Sequence, residues 1–183
     1  IMYNFFKKKH IALTKDITDC ILTGLMYDTN FFTNASTTIN SIHLASDLLS
    51  KGASLKDVTN RLWKNKDANI LRIWGRALSR LRLNAKLGVA HTYVSYKDLQ
   101  ELGVDHISHS EISNFLSSIK EAKMVILLIE SDDGTIRGSM RTTGDSIDVS
   151  KIAARFGGGG HRRAAAFSVP GRLQVENDRI RIV

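Results

Sequence analysis

The spacing of apolar residues along this chain changes period once, near residue 84. Before that point the repeat is helical. Ile17, Ile21, Leu22, Leu25 and Met26 recur at three- and four-residue steps behind Thr14, whose hydroxyl suits an N-cap. Ile39, Ile42, Ala45, Leu48 and Leu49 repeat the pattern between Thr38 and a stop at Gly52. Ser54 and Asp57 stand at capping-box spacing, with Asp in place of the usual Glu, and open a helix through Leu62 and Trp63. After a polar break at Lys64 to Asp67, the stripe Leu71, Trp74, Leu78 and Leu81 predicts a helix from Ile70 to Leu83. Both tryptophans lie on helical apolar faces, which favours packing over base stacking as their role.

Beyond residue 84 strands and short helices alternate. Val89 to Val94 reads as a strand, Ser95 with Asp98 opens a short helix ending at Gly103, and Ile112, Phe115, Leu116 and Ile119 mark another helix. Met124 to Ile129 is continuously apolar and branched, as a central strand should be. Asp133-Gly134 signals a hairpin into Thr135 to Thr142, where alternation puts Ile136, Gly138 and Met140 on one side and Arg137, Ser139 and Arg141 on the other. A helix from Val149, a glycine loop, a strand from Ala165 to Val169 and a turn at Pro170-Gly171 follow. A closing hairpin pairs Leu173 and Val175 with Ile180 and Ile182 about Asn177-Asp178. The fold class expected is α/β: a helical region over 1–66, a connector helix over 67–86, and a smaller α/β domain with a mixed sheet over 87–183.

Composition adds bounds. A chain of 183 residues with 43% hydrophobic content has enough apolar side chains for a real core. Its longest apolar run, Met124 to Ile129, is far too short to cross a bilayer. The single Cys20 excludes an internal disulfide and a cysteine zinc site, so a reducing cytoplasm is the default location. The net charge of +8 is uneven. Residues 1–84 hold 13 Lys and Arg against 6 Asp and Glu, and residues 85–183 hold 13 against 12. Lys7, Lys8, Lys9, Arg61, Lys64, Lys66, Arg72, Arg76, Arg80 and Arg82 account for most of the excess. Such spacing ordinarily means a solvated helix face, and it also favours a polyanionic ligand.

The densest candidate chemistry is the run Phe156-Gly157-Gly158-Gly159-Gly160-His161-Arg162-Arg163. Glycine lets backbone N–H groups approach an anion without an intervening Cβ, and the cations that follow supply charge, with Arg141 and Arg155 as further local sources. The flanks are not those of a flexible linker. Ile152, Ala153 and Phe156 form a helical face, Asp148 can cap that helix, and Gly157 suits its C′ position. No Gly-Lys-Ser/Thr follows, which excludes a nucleotide P-loop. Glycine physics leaves an anion site and a tight structural turn both open.

Ser139-Met140-Arg141, Asp148 to Ala153, and Phe156 to His161 with Ala164-Ala165 together resemble the Gly-Gly-Gly-His-x-x-Ala-Ala pattern of the DHH phosphoesterase family, in its associated C-terminal substrate-binding domain. Upstream, Thr23-Gly24-Leu25-Met26-Tyr27-Asp28-Thr29-Asn30-Phe31-Phe32 resembles the last metal-binding motif of that family's catalytic domain, and the order matches the branch of oligoribonucleases and phosphoadenosine-phosphate phosphatases. The resemblance implies a phosphoesterase that cleaves short RNA to mononucleotides, with 3′-phosphoadenosine 5′-phosphate as a further substrate and two manganese ions as cofactors. In that scheme Asp28 is a catalytic metal ligand. Ser139, Arg141, Gly158, Gly159, Gly160, His161 and Arg163 hold substrate phosphates, and a homodimer is left open. A non-catalytic RNA- or tRNA-binding module and a polyphosphate hydrolase are the alternatives. The Asp-His-His triplet is missing, and the chain opens on Ile1. The expectation is therefore a C-terminal part of a longer protein, inactive as a hydrolase by itself. The family usually carries Gly after the two alanines, where this chain has Ala166, a change expected to narrow the pocket or shift its substrate.

Overall fold

The computed structural model describes the chain apart from residues 35, 65, 106, 143, 145, 177 and 178 and the side chain of residue 179. It divides into two compact units, Ile1–Lys66 and Asp67–Val183. The Asn177-Asp178 turn lies outside the described residues.

The first unit is helical: α1 (Met2–Lys8), α2 (Lys15–Asp28), α3 (Ile39–Ser50) and α4 (Leu55–Trp63). The stripes read from the sequence converge, with Leu22 and Met26 of α2, Ala45 and Leu48 of α3 and Val58 of α4 forming one core. Thr14, Thr38 and Ser54 each accept a backbone N–H at the start of their helix, as their spacing predicts. Asp19, buried inside α2, ties two helices together: its carboxylate accepts from Lys15 Nζ at 2.9 Å and from the Ser54 N–H at 2.7 Å. The Lys15 hydrogen bond, then the Ser54 amide, hold its pKa below the usual carboxylate value.

The second unit opens with α5 (Ala68–Ser79), then runs β1 (Arg82–Asn84), β2 (Val89–Val94), α6 (Tyr96–Glu101), α7 (His109–Leu116), β3 (Met124–Glu130), β4 (Thr135–Thr142), α8 (Val149–Ala154), β5 (Gly159–His161) and β6 (Ala164–Pro170). Six strands make one mixed sheet in the order β1-β2-β3-β4-β6-β5, with only the β2–β3 pair parallel. The parallel pair needs a crossover, and α6 and α7 supply it. A separate hairpin, β7 (Leu173–Glu176) and β8 (Arg179–Ile182), closes the chain. On one side of the sheet α5, α6 and α7 bury Ile73, Ala77, Leu99, Ile112 and Leu116 against Ala90, Val94, Val125, Leu127 and Ile129. On the other, Val149 and Ala153 of α8 pack on Met124, Met140 and Ala165. β3, apolar on both sides, lies between β2 and β4, which explains its unbroken hydrophobic run.

One helix differs from expectation. The segment predicted to stay helical to Leu83 stops at Ser79, and Arg82–Asn84 becomes an edge strand on β2. A hairpin turn captures it: the Asn84 side chain accepts from the Leu87 N–H, its carbonyl accepts from Gly88, and Gly88 takes a left-handed φ of 64°. The helix expected as a connector packs into the second unit through Ile73 and Ala77.

Candidate phosphate-binding site

The glycine loop is built first as a helix stop. The Gly157 N–H donates to the Ala154 carbonyl at 3.2 Å and the Gly158 N–H to the Ala153 carbonyl at 2.9 Å, with Gly157 at φ 72°. These are the paired bonds of a Schellman cap with Gly157 at C′. Gly158 therefore spends its N–H on the helix rather than on a ligand. The chain then turns into β5, a short edge strand absent from the sequence reading, whose partners are Gly159↔Ala166, Gly160↔Ala165 and His161↔Ala164. Two glycines are forced by proximity. A Cβ on Gly158 would lie 2.2 Å from the Ala166 carbonyl oxygen, and one on Gly160, at φ 142°, would lie 2.5 Å from the Ala164 oxygen. Gly159 faces open space.

Cross-strand partners share a side of the sheet, so the register brings distant residues into two rows. Ser139, Ala166 and Gly159 form one, and Arg141, Ala164 and His161 the other. With strands about 4.8 Å apart, the Arg141 and His161 backbones are about 10 Å apart across β6. Arg141 is half-buried and held: its Nε donates to Asn114 Oδ1 of α7 at 3.0 Å, and Nη1 to the Met140 carbonyl at 3.0 Å and to Ser139 Oγ at 3.3 Å. Asn114 was missed in the sequence because a lone Asn on a helix carries no motif. Ser139 is buried, whereas His161, Arg162 and Arg163 are exposed. The carbonyls of Arg162 and Arg163 accept from Val149 and Thr142, pinning the tight turn between β5 and β6 to α8 and to the end of β4. A planar guanidinium, an imidazole and two further cations around a glycine edge form an arrangement suited to phosphate oxygens.

Asp28 belongs to the first unit. It is the last residue of α2 and is exposed, and Asn30, Phe31 and Phe32 after it all have positive φ, at 46°, 57° and 61°. Three successive non-glycine residues in this region are strained. Thr29 holds the turn, its hydroxyl donating to the Leu25 carbonyl and accepting from the Phe32 N–H, while the Phe31 N–H donates to the Met26 carbonyl. The Asn34 amide donates to the Asp28 carbonyl at 2.8 Å.

The model of the DHHA1 domain matches residues 86–180, more than half of the chain. The chain belongs to the DHHA1 domain family. It is 28% identical over 165 residues to the bifunctional oligoribonuclease and PAP phosphatase NrnA of Thermus thermophilus, covering 88% of this chain and 47% of that protein. The NrnA of Mycoplasma genitalium is 22% identical over 190 residues, covering 96% and 58%. Among solved structures, an exopolyphosphatase-related protein from Bacteroides fragilis superposes with a TM-score of 0.77 at 27% identity, covering 90% of this chain and 48% of that one. This DHHA1 chain thus spans about half the length of the curated relatives it matches.

The DHHA1 loop, the Arg141–His161 row and Asp28 are thus placed, and the metal expected by resemblance is testable against them. Among the described residues no three His, Cys, Asp or Glu side chains gather as a metal site requires. One exposed carboxylate does not hold an ion pair, so the described residues do not by themselves fit a two-manganese centre and no chemical step is derived through one. Among the same residues, no helix is long and apolar enough to cross a membrane.

Proposed function

We propose that this chain is the substrate-holding part of a manganese-dependent phosphoesterase that hydrolyses short RNA to mononucleotides and also accepts 3′-phosphoadenosine 5′-phosphate. The observation that carries the reading is the Arg141–Ala164–His161 row, with Arg141 steadied by Asn114 beside a glycine edge. A guanidinium fixed before the ligand arrives loses little side-chain freedom on binding and offers charge-assisted hydrogen bonds. Gly159, open above the sheet, leaves room for a sugar-phosphate to approach the backbone. Asp28 is one ligand of the manganese pair in this proposal, and the hydrolytic step depends on groups beyond those described. A cytoplasmic setting fits the single free Cys20.

The test is a titration of the whole chain with a non-hydrolysable dinucleotide. Arg141→Ala and His161→Ala should each weaken binding by about 1.5–3 kcal/mol, the scale of hydrogen bonds to charged groups; the exposed His161→Ala should melt as wild type, and Arg141→Ala should stay folded while losing some stability with its bond to Asn114. Native affinity in both folded variants would sink the reading. With manganese and a dinucleotide this chain alone should give no turnover, and robust cleavage would show that Asp28 does not need ligands from elsewhere. A second reading, polyphosphate as substrate, draws on the likeness to the exopolyphosphatase-related protein; tighter binding of tripolyphosphate than of the dinucleotide would favour it.

A further inference from the structure

Along the same side of β4, four residues from Arg141, Arg137 borders a second concavity. Its volume is about 740 Å³, within the range of small-molecule sites. Leu99, Val104, Ile107 and Ile129, all buried, form an apolar wall. Two polar groups on the lining lack hydrogen-bond partners among the described residues. Arg137 is exposed, and among the described residues no hydrogen bond or ion pair engages its guanidinium. His109, at the start of α7, also lines the concavity, and its Nε2 is buried with no hydrogen-bond partner among the described residues, an arrangement native proteins rarely leave uncompensated. Burial first, then the charge of Arg137, holds the His109 pKa below the usual value, while a hydrogen bond to the Ile107 backbone opposes them. The neutral ring, with its other nitrogen donating to that backbone, leaves Nε2 as an acceptor.

The ligand must then present acceptors to Arg137, an N–H to His109 and a flat apolar body to the wall. Free phosphate does not fit, because Asp105, Asp132 and Asp133 on the lining outnumber the one guanidinium. We propose that this concavity is a guanine-binding pocket in which Arg137 donates to O6 and N7 and His109 Nε2, after a small rotation of the ring, accepts N1–H. Arg in a bidentate contact with these two guanine acceptors is a recurrent and selective pairing. The exocyclic amino group faces the carboxylates. Adenine would set an amino group against Arg137, and uracil, whose N3–H separates its two carbonyl oxygens, has no adjacent pair of acceptors for the fork; cytosine offers O2 and N3, but its single ring covers less of the apolar wall than a purine does. Arg137 and Arg141 are about 13 Å apart along the strand, a span that a dinucleotide can bridge. The inference rests on the proposed function only in making this guanine part of a nucleotide chain.

Guanosine tests it, because that nucleoside carries no phosphate for the cradle to hold. Titrated into the isotope-labelled whole chain, it should give saturable amide shifts over residues 99–104 and 131–137. Arg137→Ala, at an exposed position where folding is safe, should weaken it at least about tenfold, and Arg137→Lys, which keeps the charge but loses the fork, should weaken it too. Adenosine and uridine should not saturate. Absence of saturation by guanosine, equal binding of adenosine, native affinity in Arg137→Ala, or shifts confined to residues 157–161 would each overturn the proposal. The phosphate cradle is read separately with 3′-phosphoadenosine 5′-phosphate: loss of that binding with guanosine binding intact removes the cradle and leaves the pocket.

Discussion

Gly158 lies so close to Ala166 that a Cβ on it would come within 2.2 Å of the Ala166 carbonyl oxygen. The contact assigns a structural task to one glycine of the run and leaves its neighbour free. Gly158→Ala must push β6 away and should cost about 1–3 kcal/mol, the scale of overpacking, and Gly160→Ala at least as much because its φ is also unfavourable for a side chain. Gly159→Ala, with open space above it, should melt within a degree or two of wild type. Urea titrations of the three variants decide the matter, and equal losses at all three positions would refute the assignment.

Much of this geometry was legible. Alternation along Thr135 to Thr142 placed Ser139 and Arg141 on one side, and capping spacing placed Ser95 and Asp98, which bond reciprocally at the start of α6. Gly157 was readable as a helix C′ residue because only a left-handed residue completes that cap. What was not legible depends on contacts distant in sequence. Gly159–His161 becomes a strand because Ala164–Ala166 lies beside it, and three residues hold no period of their own. Leu81 continues the helical stripe of Leu71, Trp74 and Leu78, yet pairing with β2 captures Arg82–Asn84 as a strand. No local signal tells that Gly158 and Gly160 are fixed while Gly159 is open, nor that Asn114 holds Arg141.

The joint between α5 and α6 should give way in acid. Asp98 is buried and accepts from Arg76 at 2.8 Å, from Arg80, and from Ser95. Burial pushes its pKa up, but Arg80, Ser95 and Arg76 together outweigh that and hold it well below the usual carboxylate range. A depressed folded pKa stabilises the protein above the unfolded value of about 3.9, and this contribution fades as pH falls through the folded value. Asp98→Asn should therefore cost about 3 kcal/mol at neutral pH, the lower end for breaking a buried ion pair, since both arginines are partly in water. The gap between wild type and variant should narrow below about pH 4. Chemical denaturation at several pH values measures it, and a gap independent of pH would exclude the charge as its source.

The left-handed turn after Asp28 is a strained stretch of backbone in the first unit. Asn30, at φ 46°, is the residue type that tolerates this region best after glycine. Asn30→Gly should be nearly neutral, losing one side-chain hydrogen bond to Thr33 while relieving strain. Asn30→Val should destabilise by about 1–3 kcal/mol, because a β-branched side chain is excluded there. Thermal melts of the pair separate backbone strain from side-chain loss: similar destabilisation of both variants would point to the Thr33 bond.

Ala166 borders the proposed cradle. Its methyl group stands on the sheet side shared by Ser139 and Gly159, next to the row holding Arg141 and His161, and the residue is exposed. The close contact with Gly158 is made by the Ala166 carbonyl, which any residue provides, and not by the methyl. Side-chain size at this position should therefore register in binding more than in stability. Ala166→Leu should weaken a dinucleotide by about tenfold or more, roughly 1.4 kcal/mol, with its melting temperature near wild type. Ala166→Gly should lose about 0.5–1 kcal/mol of stability through added backbone freedom, yet bind the dinucleotide at least as tightly because the row opens. Affinities for inorganic phosphate should barely change in either variant, since a small anion between Arg141 and His161 does not reach past Ala164. If leucine at this position left dinucleotide binding untouched, the sugar-phosphate would have to lie elsewhere, and the rows built by β4, β6 and β5 would lose their claim to the substrate.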